Sequence, residues 1–301
     1  MRIVVALGGN ALLRRGERPD AAIQLAHVAQ AAPDLAKLAD EHELVLVHGN
    51  GPQVGLLALE SGADTSLSRP YPLGDLVAET QGVIGYWVQQ ALGNAGLRTP
   101  VVTVVTQTVV DAQDPAFGSP TKFVGSSYAE GLAHDLAREN GWQVARDGSL
   151  WRRVVASPLP RRVVELEIAE HLLAGGVTVV LAGGGGVPVV EDASGLHGVD
   201  AVVDKDRTAA LVADSLHADL LVMLTDVAAV MADFGLPSEH PLLDVDVAEI
   251  EGLSFPAGSM GPKVEAACDF VRSTGGRAAI GALDQAGEVV AGRSGTQVSR
   301  R

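Results

Sequence analysis

The feature that most constrains this chain is a unit repeated along it: a short run of apolar residues, a glycine-containing turn, then a helical stretch. Ile3 to Leu7 is continuous and apolar, as a strand buried on both faces requires. Leu44 to Val47, Val101 to Val105, Val177 to Leu181, Leu220 to Leu224 and Arg277 to Ile280 repeat that pattern. Helical stretches alternate with them, from about Asp20 to Asp40, Leu73 to Leu92, Lys205 to His217 and Met260 to Ser273. Pro33 falls inside the first of these and predicts a kink or a break into two helices. Alternation of this kind predicts an α/β fold, with a mostly parallel sheet covered by helices on both faces.

The segment from about 110 to 160 breaks the rhythm. It holds Asp-Pro and Ser-Pro pairs, Trp142, Trp151 and the pair Arg152-Arg153. It is expected to leave the sheet as a small protruding subdomain, or lid, inserted in a single domain spanning 1–301.

Three strands end in glycine turns: Gly8-Gly9-Asn10, Gly49-Asn50-Gly51 and Gly183 through Gly186. In a parallel sheet such turns share the carboxyl edge, where ligands bind. Glycine lets backbone approach a ligand, and exposed N–H groups attract anions. A helix N-terminus following each turn would add its dipole. No Gly-Lys-Ser/Thr and no Gly-x-Gly-x-x-Gly after the first strand is present, which disfavours a P-loop enzyme and a Rossmann dehydrogenase.

Lysine is scarce, with four against eighteen arginines. Lys37 lies on a polar helix face. The other three sit by glycine or proline turns: Lys122 in Ser-Pro-Thr-Lys, Lys205 in Asp-Lys-Asp, and Lys263 in Gly-Ser-Met-Gly-Pro-Lys. A compact ammonium acts as a point charge on phosphate, so these three point to phosphate handling. Asp204 reads as the N-cap of the helix that opens at Lys205, with Asp206 in its first turn. Pro262 marks the start of another helix and puts Lys263 at a helix N-terminus, the wrong end for a cation unless function needs it there. Asp226, in Thr225-Asp226-Val227, ends a strand.

The net charge of −15 argues against a nucleic-acid-binding surface. No apolar run reaches the ~18 residues of a membrane span, so the expectation is a soluble cytoplasmic protein that binds neither nucleic acid nor membrane. Cys268, the single cysteine, lies in an apolar stretch and reads as core packing. The eight histidines show no metal-ligand spacing, and His48 reads as structural rather than as a general base. No metal site is expected from protein side chains.

These motifs together resemble the carbamate kinases of the amino-acid kinase superfamily. The residues that carry the resemblance are Val5 to Leu12, His48 to Gly55, Pro120-Thr121-Lys122, Val203 to Asp206, Leu224 to Val227 and Gly258 to Lys263, and it spans nearly the whole chain. Other superfamily members carry a lysine just before the first glycine pair, where this chain has Ala6-Leu7. The resemblance implies an open αβα sandwich of about eight strands, a homodimer, and reversible phosphoryl transfer between ATP and carbamate giving ADP and carbamoyl phosphate. Mg²⁺ would travel with ATP or ADP, and the reaction would run toward ATP in arginine catabolism. By the same resemblance Gly8, Gly9, Asn10, Gly49, Asn50 and Gly51 would hold carbamate and the transferring group. Lys205 and Lys263 would lie along the phosphates, oriented by Asp206, with Lys122 reaching in from the subdomain. Gly184, Gly185, Asp226, Met260 and Lys263 would lie near the nucleotide. The chain departs from that pattern in Phe123 to Ser127, in Arg207, and near Met231 and Phe234, where a tyrosine is usual. Two alternatives stay open: a kinase of the same fold with another small carboxylate or phosphate acceptor, and a catalytically silent nucleotide-binding relative.

Overall fold

The computed structural model describes residues 1–14, 16–255 and 260–300, apart from the side chains of Asn10 and Ala11. Eight strands form the central sheet. Their order is Asp244–Asp246, Thr296–Ser299, Arg277–Ala282, Leu220–Thr225, Arg2–Leu7, Glu43–His48, Thr178–Val180 and Val101–Thr103. Neighbours run parallel except Arg277–Ala282 with Thr296–Ser299, which are antiparallel. This is the mostly parallel α/β sandwich that the alternation predicts.

Strand periodicity divides the core in two. Val4, Ala6, Val45, Val47, Leu221 and Met223 point to one face, where they meet Val212 and Ala213 of helix Lys205–Ser215 and Val264 and Phe270 of helix Met260–Thr274. Ile3, Val5, Leu44, Leu46, Leu220 and Val222 point to the other, against helices Ala21–Glu41 and Leu73–Asn94. Alternate side chains must leave a strand on opposite faces, so buried runs of this kind need helices on both. Cys268 is buried in the first of these cores, where burial pushes its thiol up to about 11, and is a packing residue there.

Helices Lys205–Ser215 and Met260–Thr274 lie on one face and pack against each other, and both give small residues to the core there, among them Ala209, Ala213 and Ala267. Both begin at the carboxyl edge of the sheet. Their shared face is what brings Lys205 and Lys263 together. Gly258 and Ser259, which precede Met260, lie outside the described residues.

Outside the central sheet, Gln107–Val110 and Pro160–Val163 pair antiparallel, within a second sheet that also holds Val187–Asp192 and Gly195–Gly198. Between them, Lys122–Tyr128, Gln143–Asp147 and Leu150–Val155 form a three-stranded antiparallel sheet that carries helix Glu130–Asn140.

Two local expectations differ from the structure. Ala21–Glu41 is one helix and is not broken at Pro33. Leu35, Ala36, Leu38 and Ala39 beyond the proline are buried, so tertiary packing holds the helix through it. The Gly183–Gly186 turn is followed by strand Val187–Asp192 instead of a helix, because Val187 and Val189 pair with Gln107 and Val109.

Pro33 is exposed and has no N–H to give the carbonyl of Ala29. Pro33→Ala is expected to raise unfolding free energy by about 1–3 kcal/mol, measured by urea denaturation. A midpoint at or below that of the parent would show that the helix accommodates this proline at no cost.

Candidate active site

The site is built where three parallel strands end side by side. The N–H of Gly8 donates to the carbonyl of Leu224, and the N–H of Gly49 donates to that of Leu7, each at 2.9 Å. These two amides are spent in the sheet. Anion-facing backbone donors therefore fall one or two residues later, at Gly9 and Asn10, and at Asn50 and Gly51 as helix Gly51–Ala63 opens. Gly49 has no room for a side chain. A Cβ there would stand 2.9 Å from the nitrogen of Gly9 and 3.3 Å from Cε of Lys205.

The third glycine turn closes over the second. Gly184, Gly185 and Gly186 all have positive φ, and a Cβ on Gly184 would fall 2.1 Å from Nδ2 of Asn50. Gly185 packs against the backbone of Val203, and its carbonyl accepts from the hydroxyls of Thr108 at 2.8 Å and Thr208 at 3.1 Å. Gly184 thus lies beside Asn50, and Gly185 beside Val203. Asn50 itself is buried. The hydroxyl of Thr80 donates to the carbonyl of Val77, so Thr80 must accept the 2.9 Å hydrogen bond from Nδ2 of Asn50. That fixes which way the Asn50 amide faces.

Lys205 and Lys263 meet on one carboxylate. Nζ of Lys205 donates to Oδ1 of Asp206 at 2.7 Å, and Nζ of Lys263 donates to Oδ2 at 2.8 Å. All three side chains are buried, between 6% and 12% exposed. Burial alone would raise the pKa of Asp206, but the two ammoniums outweigh it and hold the carboxyl well below its usual range. Burial and the neighbouring Lys263 lower the Lys205 ammonium, against the pull of Asp206 and Asp204.

Asp204 caps helix Lys205–Ser215 by accepting from the N–H of Asp206 at 3.0 Å. Its second oxygen accepts from Nζ of Lys122 at 2.8 Å, across from the three-stranded sheet. Burial and the neighbouring Asp206 oppose the charge of Asp204, and Lys122 together with Lys205 offsets them, leaving the carboxyl below its ordinary value. Arg153 pairs with Asp200 at 2.6 Å and anchors the same sheet to the same segment.

The remaining predicted residues lie around this cluster. Oδ1 of Asp226 accepts from the hydroxyl of Thr225, beside the Gly8 turn, and its strand end is exposed. Met260 is partly buried against the core at the start of its helix. Arg207 pairs with Glu265 at 2.5 Å and so links the two lysine-bearing helices at their surface. Phe234 is 71% exposed. Among the described residues no cluster of three His, Cys, Asp or Glu is arranged to hold a metal. No described helix is long and apolar enough to cross a membrane. A cavity of about 570 Å³ lies at the opposite, amino edge of the sheet, near Arg2, His42 and Asp219, and none of the three site lysines lines it.

His48 ends its strand fully buried. Nδ1 donates to the carbonyl of Gly49 at 3.0 Å, and Nε2, packed toward Gly183, has no partner among the described residues. Burial pushes this imidazole down to about 4, so it is neutral at physiological pH and structural, as its place in the sequence suggests.

Sequence reading missed the link between Asp204 and Lys122, together with Thr80, Thr108 and Thr208. The cap position was a signal for Asp204. The threonines leave none, since ordinary helix and strand positions give no hint of a partner far away in sequence.

A fold with glycine turns at one sheet edge and two lysines sharing an aspartate there defines a class. The sequence profile of the Amino acid kinase family matches residues 1–281, and the chain belongs to that family. Carbamate kinase from Rhizobium meliloti is 48% identical over 303 residues, covering 99% of this chain and 93% of the relative. Carbamate kinase from Haemophilus influenzae is 47% identical, covering 100% and 97%. The structure of carbamate kinase from Giardia lamblia bound to AMP-PNP superposes with a TM-score of 0.93 at 39% identity, covering 100% of this chain and 98% of that one. Isopentenyl phosphate kinase from T. acidophilum shares the fold alone, at 15% identity and a TM-score of 0.58, over 99% of this chain and 100% of that one.

The neutral His48 has a consequence for stability. Its pKa is about 4 in the fold against an ordinary 6.5, so between those values the unfolded chain binds the extra proton. Stability contributed above pH 6.5 is lost as pH falls toward 4, by about 3 kcal/mol in all. Denaturant unfolding at pH 7 and 4.5 should show a shallower pH slope for His48→Gln than for the parent. Equal slopes would show that His48 titrates normally.

Proposed function

We infer that this chain is a kinase that moves a phosphoryl group reversibly between ATP and carbamate, giving ADP and carbamoyl phosphate. The observation that carries the reading is the buried set of Lys205, Asp206 and Lys263 beside the glycine turns. The curated relatives are named carbamate kinase and are close to half identical over almost the full chain.

The chemistry fits the arrangement. Phosphoryl transfer needs the acceptor, the transferring group and the leaving group to be aligned, and spread negative charge to be neutralised. Carbamate arrives as an oxyanion, so no base is required to generate the nucleophile. In this reading Gly9, Asn10, Asn50 and Gly51 present backbone donors to carbamate and the transferring group. Gly8, Gly49, Gly184 and Gly185 make room for them. Lys205 and Lys263, bridged by Asp206, neutralise the phosphate oxygens from one side. Lys122 approaches from the three-stranded sheet and acts as a lid residue.

The Giardia lamblia relative is described as bound to AMP-PNP. The corresponding nucleotide here would lie toward Asp226 and the Met260 helix. Asp204 and Asp206 spend their oxygens on lysines and a capping bond, so Mg²⁺ would enter on the nucleotide phosphates. When bound there it neutralises phosphate charge. Pairing of two copies and a cytoplasmic setting belong to the same proposal. Exposed Val83 and Tyr86, on the helix next to the edge strand Val101–Thr103, support the pairing.

The direct test is a coupled assay for ATP made from ADP and carbamoyl phosphate with Mg²⁺. ATP no higher than the enzyme-free control would refute the reading. Lys205→Ala and Lys263→Ala are each expected to slow turnover by about 10²- to 10³-fold, by analogy with removing one oxyanion donor. Turnover unchanged in a folded variant would remove that lysine from the site.

A further inference from the structure

Asp204 does two things with its two oxygens. One accepts from the N–H of Asp206 and caps the helix that carries Lys205. The other accepts from Lys122, 82 residues away, on the sheet formed by Lys122–Tyr128, Gln143–Asp147 and Leu150–Val155. Capping alone does not call for a carboxylate. Asn and Ser cap about as well and bring no charge into a mostly buried position. The side chain of Asp204 is 13% exposed, whereas that of Lys122 is 41% exposed. A buried carboxylate is therefore drawing a half-exposed lysine inward, toward the phosphate lysines. Tying a flexible lysine down costs side-chain entropy, and a half-exposed pair does little for stability. A geometry kept at that cost is better explained by where it leaves the ammonium.

We propose that Asp204 is the positioning residue for Lys122: it holds that ammonium at the mouth of the site before substrate arrives and ties its placement to the helix turn that sets Lys205 and Asp206. The proposal rests on the phosphoryl-transfer reading above and deepens it. Lysine has three N–H donors, so Lys122 keeps one on Asp204 while it turns another to an incoming phosphoryl oxygen. The pair orders Lys122 in advance, and binding energy is then not spent on ordering it. Arg153 with Asp200 holds the same two parts together, so the sheet has a second tie while Lys122 turns one of its donors to the ligand.

The test is a double-mutant cycle on the full-length enzyme, read by ATP formed from ADP and carbamoyl phosphate, with kcat and KM for each substrate. Asp204→Asn keeps the cap and removes the charge. It is expected to lower kcat/KM for carbamoyl phosphate about tenfold, with KM for ADP changed less than about twofold and the melting temperature nearly unchanged. In a Lys122→Ala background the same change should cost less than about twofold. Asp204→Ser, which also caps, repeats the measurement should the Asn variant fold poorly. Multiplicative losses in the double mutant, parent-like kinetics of Asp204→Asn, or losses that track a fall in melting temperature in both variants would each overturn the proposal. The parent enzyme's own ATP synthesis tests the phosphoryl-transfer reading separately. An active parent with a multiplicative cycle removes the role of Asp204 alone.

Discussion

The structure turns on one buried carboxylate. Asp206 sits between two ammoniums, and none of the three groups could be buried without the others. A charge left unpaired in such a place costs several kcal/mol, so the cluster is an all-or-none element. It also dictates layout. Asp206 neighbours Lys205 on one helix and meets Lys263 from another, which requires two helices on the same face starting at the same edge. The result gathers charge: among the described residues Lys122, Lys205 and Lys263 pair with Asp204 and Asp206, three ammoniums on two carboxylates in a chain of net charge −15. An anionic ligand is drawn to this point of an otherwise repelling surface.

The glycine edge is the second half of the same device. Gly49 lets the first two turns and Lys205 crowd together, and Gly184 lies against the amide of Asn50 with no room for a Cβ. A side chain at either position would displace the groups that the lysines face. The positive φ values of Gly184 to Gly186 add a backbone reason for glycine there, since L-residues seldom adopt them. Crowded backbone and buried ammoniums suit the same task, because a phosphoryl group must be gripped from several sides at once.

Much of this was legible in the sequence. Parallel strands buried on both faces must be continuous apolar runs, so their positions show plainly, and glycines after them mark the functional edge. Lysine scarcity singled out Lys122, Lys205 and Lys263, and the chain's likeness to a known family named the chemistry. What stayed hidden is pairing across distance. Local pattern predicts which face a residue occupies, not what waits there. Asp204 could be seen as a cap but not as the partner of Lys122, and Thr80 could not be seen orienting Asn50. Pro33 shows the converse: local chemistry predicted a kink or a break, and with buried residues beyond the proline the helix is not broken.

The titratable groups gathered at this edge also narrow the acceptor. Asp204 and Asp206 are held ionised by lysines, and their oxygens are taken by those lysines and by the capping N–H of Asp206. His48 is neutral, but its one free nitrogen is buried toward Gly183 and not turned to the ligand side. None of the three is placed to take a proton from an incoming nucleophile. A hydroxyl acceptor needs such a base, because its oxygen becomes a competent nucleophile only as the proton leaves. A carbamate needs none. The pairing that makes this site positive therefore also ties up Asp204 and Asp206, and a ligand that arrives already ionised, as carbamate does, needs neither of them as a base.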